Sequence, residues 1–140
     1  MADARRSVLI TGASSGIGLA TAQCLLDQGW RVFAAARRVE AMEPLRSRGA
    51  EIFPLDLVDP SSREALAQTI SQRVGALDAL VNNAGIVGGQ HAILDLDVAH
   101  LRAVFDANVV GAFVCTREAA RRMSTQKGGP GGVVVNVSSA

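Results

Sequence analysis

The chain has 140 residues, enough for one domain that buries about two-thirds of its unfolded surface. Apolar residues make up 49% and charged residues 19%, an ordinary globular composition. Fourteen basic residues nearly cancel thirteen acidic ones, which leaves no broad electrostatic case for nucleic acid or an anionic membrane.

No uninterrupted run approaches the roughly 18 apolar residues that span a bilayer, so no membrane partner is expected. The N-terminal MADARRSVLI has a basic pair but too short an apolar stretch for a signal peptide. Cys24 and Cys115 lie far apart in helical patterns and belong to no CxxC pair. They read as buried free thiols of a cytoplasmic protein, with no metal site.

In chain order, SVLIT (7–11) is a short apolar strand that runs straight into glycines. Ile17, Ala20, Thr21, Cys24, Leu25 and Gln28 then mark one helical face, and Gly29 closes that helix in a left-handed position. RVFAAA (31–36) is a second buried strand. A weak helix follows near 39–48, broken by Pro44 and ended by Gly49. AEIFPLD (50–56) is the third strand. The next helix starts with either Asp59 as cap before Pro60, or Ser61 as cap with Glu64 as its box partner. Leu66, Ile70 and Val74 form its stripe, and Gly75 ends it.

LDALVNNAG (77–85) is the fourth strand. A loop with Gly88 and Gly89 leads to a long helix at about 98–123, with Leu101, Phe105, Asn108, Ala112, Cys115 and Ala119 on one side. KGGPGG (127–132) is a short loop, and VVVNVSSA (133–140) is a fifth strand with two serines at its tip. Strands alternating with helices imply right-handed crossovers and a parallel sheet covered on both faces. The expected fold is therefore α/β, a doubly wound parallel sheet of the Rossmann-like kind, in one incomplete domain spanning 1–140.

The glycine loop TGASSGIG (11–18) sits between strand and helix, where a phosphate cradle belongs. Gly12 turns sharply, Gly16 lets backbone approach an anion, and Gly18 brings helix close to strand. Unpaired N–H groups and the positive dipole end of the helix face the anion, and Ser14 and Ser15 add hydroxyls. The spacing is GxxxGxG rather than the GxGxxG of the general dinucleotide fingerprint.

Together, T-G-x-x-x-G-x-G at 11–18, N-N-A-G at 82–85 and N-V-S-S at 136–139 resemble the short-chain dehydrogenase/reductase family, from the first strand to the last residue. The resemblance implies an NAD(P)-dependent oxidoreductase acting on a small alcohol or carbonyl, homo-oligomeric in its complete form. It places Gly12, Ser14, Ser15, Gly16, Ile17 and Gly18 against the cofactor, Asp56 on the adenine amino group, Leu57 beside the adenine, and Asn83, Ala84 and Gly85 on the adenosine side. Asp56 also suits a capping role in the turn that follows it.

The tip of the second strand meets the adenosine ribose in this fold. Here it carries Arg37 and Arg38 after Ala36, with no carboxylate. A guanidinium fork suits a 2′-phosphate, so NADP(H) is favoured over NAD(H); the alternative is that both arginines are solvated surface charges. Asn108 is the odd amide in the apolar stretch FDANVVGAF. It is either satisfied by nearby backbone or, by the resemblance and as the motif order favours, its carbonyl kinks the helix locally and holds a water in a proton relay.

The resemblance makes Ser139 the catalytic serine, a hydrogen-bond partner of the substrate oxygen, with Ser138 as its neighbour. The family's proton passes through a tyrosine in Tyr-x-x-x-Lys, and this chain has no tyrosine. The chain therefore reads as the N-terminal part of a reductase, inactive alone. The alternative is a non-catalytic dinucleotide-binding module. His91 and His100 have no patterned partner and read as surface residues. The fifth strand is expected to be exposed on one side, an aggregation liability.

Overall fold

The computed structural model describes residues 4–87, 89 and 92–138. Five parallel strands, β1 (Ser7–Thr11), β2 (Arg31–Ala36), β3 (Glu51–Pro54), β4 (Ala79–Asn82) and β5 (Val133–Asn136), form one sheet in the order β3-β2-β1-β4-β5. The order reverses at β1, so β1 and β4 diverge in their crossovers and open a crevice at their carboxyl ends. This is the doubly wound sheet expected from the alternation of elements. β1 is buried throughout, because it lies in the middle with a layer on each face.

One face carries α1 (Gly16–Asp27), a single 3-10 turn (Val39–Met42) and the short α2 (Glu43–Arg46). Val8, Ile10, Val32, Ala34, Met42 and Leu45 make the core there. The other face carries α3 (Pro60–Val74) and the long helical stretch α4 (Val98–Phe105), a π-helical turn (Asp106–Val110) and α5 (Gly111–Met123). Leu9, Phe33, Leu66, Ile70, Leu80 and Met123 fill that second core.

The helix starts resolve the ambiguities of the sequence. Asp59 caps α3: its Oδ1 accepts from the Ser61 N–H at 2.9 Å, with Pro60 in the first turn. Pro44 opens α2 rather than breaking a helix, since a first-turn proline forfeits no intrahelical bond. Gly29, Gly49 and Gly75 end their elements at φ of 79°, 99° and 69°.

Two apolar faces differ from the periodicity. In α1 the buried residues are Gly18 and Ala22, with Leu19, Leu25 and Leu26 packed beside them, while Ile17 is 63% exposed. Gly18 must press on the loop at Gly12, and that contact sets the rotation of the helix. Cys24 consequently lies exposed, and Cys115 is half-buried; both are free thiols, so the expectation of two buried ones fails. In the long helix, Cys115, Ala119 and Met123 pack on the sheet, but α4 has no buried residue and Leu101 and Phe105 are exposed. The π turn adds a residue to one turn, which shifts the stripe's phase by about 100°.

Val98–Met123 forms one 26-residue helical stretch whose most apolar 18-residue window has a mean hydropathy of 1.4. That passes a length-and-composition test for a membrane span, one that the core helix of a globular domain also passes, whereas no uninterrupted apolar run reaches 18 residues. The difference arises because isolated polar residues such as Asn108 break the run but not the window average. His100 is exposed, as expected; His91 lies outside the described residues. Val133, Val135 and Val137 are 58%, 45% and 38% exposed on the edge strand, the unprotected face expected there.

Candidate dinucleotide and substrate clefts

At the carboxyl ends of β1, β2 and β4 lies a cleft of about 300 Å³. Gly12, Ser14, Ser15, Arg37, Arg38, Asp56, Leu57, Asn83, Ala84 and Gly85 all line it, so the four loops after β1, β2, β3 and β4 converge there. Three expected residues stand differently. Gly16 is the first residue of α1 at φ 54°, Gly18 is buried beneath the loop, and Ile17 points outward.

The glycines are demanded by close approach. A Cβ on Gly12 would sit 2.6 Å from Ala84 Cα, and one on Gly18 would sit 2.3 Å from the Gly12 carbonyl oxygen and 2.4 Å from Asn83 Nδ2. All three distances are below any real Cβ contact, and the Ala84 and Gly12 backbone atoms cannot swing aside. Gly16, by contrast, has open space above it. Ser15 caps α1 without a side-chain hydrogen bond, and no acidic residue occupies the first turn. The first-turn N–H groups are thus left for an anion.

Thr11 holds the cleft together, a role the sequence reading missed. Its buried hydroxyl accepts from the Asn83 and Ala84 N–H groups, each at 3.1 Å, and donates to the Val81 carbonyl at 3.4 Å. Asn83 returns the tie by donating Nδ2 to the Gly12 carbonyl at 3.1 Å. The glycine loop and the Asn-Asn-Ala-Gly turn are therefore one rigid unit. The signal was present in the sequence as the threonine that ends an apolar strand.

Asp56 accepts from the Val58 N–H at 3.0 Å, which is the turn-capping role. It is the one carboxylate among the residues lining the cleft. Arg37 and Arg38 are exposed, and neither forms an ion pair among the described residues. A phosphate-bearing nucleotide fits this set: backbone donors at α1, small residues at β4, and the guanidinium groups of Arg37 and Arg38 at the β2 tip.

Asn108 sits in the π turn and is exposed rather than buried. Its Oδ1 accepts from the Ile86 N–H at 2.7 Å and its Nδ2 donates to the Ile86 carbonyl at 2.8 Å. The side-chain amide is thus satisfied by backbone, as the first reading has it, and the π turn distorts the helix at that residue, as the second has it; the two are not exclusive. Asn108 lines a second cleft of about 340 Å³ with Asn82, Phe113, Thr116, Asn136 and Ser138. Ala107, its neighbour in the π turn, faces the first cleft. The turn is the wall between the two. Ser139 lies outside the described residues.

Residues 6–140 match the family model for short chain dehydrogenase. The chain belongs to the short-chain dehydrogenase/reductase family. It is 39% identical over 138 residues to an uncharacterized oxidoreductase, YgfF, of Escherichia coli K12, covering 94% of this chain and 56% of that one. It is 37% identical to a 3beta-hydroxysteroid dehydrogenase of Mediterraneibacter gnavus, covering 94% and 49%. A crystal structure of a metagenomic short-chain oxidoreductase in complex with NADP superimposes with a TM-score of 0.87 at 30% identity, covering 96% of this chain and 62% of that one. The chain spans about half the length of the curated relatives it matches.

Proposed function

We propose that this chain is the cofactor-binding part of an NADP(H)-dependent oxidoreductase acting on an alcohol or carbonyl substrate. The observation that carries the reading is the pair Arg37 and Arg38, which form no ion pair among the described residues, at the rim of a cleft whose β2 tip has no carboxylate. An acidic residue at that tip would repel a 2′-phosphate; two guanidinium groups attract and fork onto it. The structural relative solved with NADP supports the same choice.

When bound, the dinucleotide supplies or accepts the hydride. The protein's own residues do the rest. The first-turn N–H groups of α1 hold the pyrophosphate, Ser14 and Ser15 add donors, and Leu57 with Ala84 bounds the flat base. Asn108 keeps the Ile86 backbone in place between the two clefts. By the family resemblance, Ser139 binds the substrate oxygen. Asn108 and Ser139 do not titrate near neutral pH, and the chain has no tyrosine, so the 140-residue chain alone is expected to show no turnover.

The test is titration of the purified chain with NADPH and NADH, read by intrinsic fluorescence of Trp30 or by thermal shift. NADPH is expected to bind at least about tenfold tighter, the factor that one charge-assisted hydrogen bond supplies. Equal affinities, or a preference that survives Arg37→Ala with Arg38→Ala, would overturn it. The alternative of a natural binding-only module makes the same binding prediction. It differs in the complete coding sequence, where a stop directly after Ala140 would favour it over a downstream Tyr-x-x-x-Lys.

A further inference from the structure

The second core is apolar up to one layer and then becomes polar. Leu80 on β4, Val134 on β5 and Ala119 on α5 belong to the apolar layer. Two residues on, the same sheet face presents Asn82 and Asn136, which are directly paired across the two strands. Thr116 faces them from α5. Asn82 is only 7% exposed, and its Nδ2 donates both protons: one to Thr116 Oγ1 and one to Asn136 Oδ1, each at 2.9 Å.

A buried amide at this position costs free energy unless both protons are bonded. The layer therefore works only with all three partners present. Apolar residues would tolerate a register slip of β5 against β4, since one valine packs much like another. The Asn82–Asn136 bond does not. Thr116 holds the Asn82 amide in the orientation that makes that bond, and the strand tip immediately beyond Asn136 carries Val137 and Ser138 into the second cleft. The Val137 N–H in turn donates to the Asn82 carbonyl at 3.0 Å.

We propose that Thr116 is a positioning residue: through the Asn82 side chain it locks the register and tip of β5, and so the placement of the serine-bearing end at the substrate cleft. Its relevance to a substrate rests on the oxidoreductase reading above; the lock itself does not.

The experiment is amide hydrogen exchange by NMR on the 15N-labelled 140-residue chain and its Thr116→Val and Thr116→Ser variants. In the parent chain, the Asn82 side-chain protons are expected to exchange at least about fivefold slower than those of the exposed Gln126, the factor that one ordinary hydrogen bond supplies. Thr116→Val keeps the volume and removes the acceptor. It is expected to speed exchange at the Asn82 side chain and the Val137 amide by about fivefold, with Val133 at the other end of the strand unchanged. Thr116→Ser restores the parent rates. The proposal is overturned if Val137 is unaffected, if Val133 and Val137 accelerate alike, or if serine fails to rescue. Should Thr116→Val not fold, the parent's Asn82 rate decides alone: exchange as fast as Gln126 overturns it. A melting shift with NADPH is read separately. Its absence removes the oxidoreductase reading and leaves the lock standing.

Discussion

Replacing Thr11 with valine should be among the most costly single changes in the cleft, although it preserves side-chain volume. Thr11 is 1% exposed, and its hydroxyl serves two backbone N–H donors, Asn83 and Ala84. Valine offers neither an acceptor, and an unsatisfied buried donor costs about 1–3 kcal/mol. Both donors border the cleft, where water reaches in part, so the lower half of that range applies to each. The sum is about 2–4 kcal/mol, or roughly 6–16 °C in Tm for a domain of this size. Thr11→Ser is the control. It keeps the acceptor and loses one methyl, worth about 1 kcal/mol. Urea unfolding of the three proteins, followed by circular dichroism with a common m-value, measures the difference. A serine variant as unstable as the valine variant, or less stable, would refute the claim that hydrogen bonding rather than packing joins the two loops.

Gly18→Ala should abolish nucleotide binding and cost about 1–3 kcal/mol, because the new methyl meets the Gly12 carbonyl oxygen at 2.3 Å; titration with NADPH checks this. Glu51 joins Arg31 and Arg73 beside Phe33 and Phe53 at the sheet edge. Glu51→Gln should destabilise by about 1 kcal/mol or less, with the deficit shrinking in molar salt, because these partly exposed charges are screened. An iodoacetamide time course read by mass spectrometry should label Cys24 before Cys115, whose burial pushes its thiol upward and withholds thiolate at neutral pH. The hydrogen bonds from the Ser61 hydroxyl and N–H hold the Asp59 carboxyl below its ordinary 3.8. Its cap is therefore fully effective above that pH and is lost as pH falls through the lowered value. Asp59→Asn should flatten the acid limb of a stability-against-pH curve without changing the neutral end.

The order and type of elements were legible because the strands here are short and mostly apolar, and all but β2, which runs into Arg37, are closed by glycine, proline or asparagine. Such punctuation is local chemistry: a positive φ at Gly29 or a missing N–H at Pro60 follows from the residue alone. The cleft was legible for a similar reason. Backbone donors, small residues and arginines occupy the ends of β1, β2 and β4, and a parallel sheet necessarily gathers those ends on one edge.

Helix rotation was not legible. In α1 the periodic face began at Ile17, yet the buried stripe begins at Gly18, since the absence of a side chain there is what permits contact with Gly12. In the long helix a single π turn breaks the phase between Leu101 and Cys115. Nothing in the apolar pattern marks the turn except Asn108, whose bonding to Ile86 exists only once the loop after β4 has been placed.

The sequence by itself thus determined the alternation of strands and helices, the glycine-lined cleft and the charge at its rim, since all of these rest on properties of residues near in the chain. Only the tertiary structure decided that Thr11 binds the Asn-Asn-Ala-Gly turn and that Asn82, Thr116 and Asn136 form one layer. Their partners are separated by 72, 73, 34 and 54 residues. A hydrogen bond needs a partner at about 3 Å with the right direction. At those separations only the packed sheet supplies one.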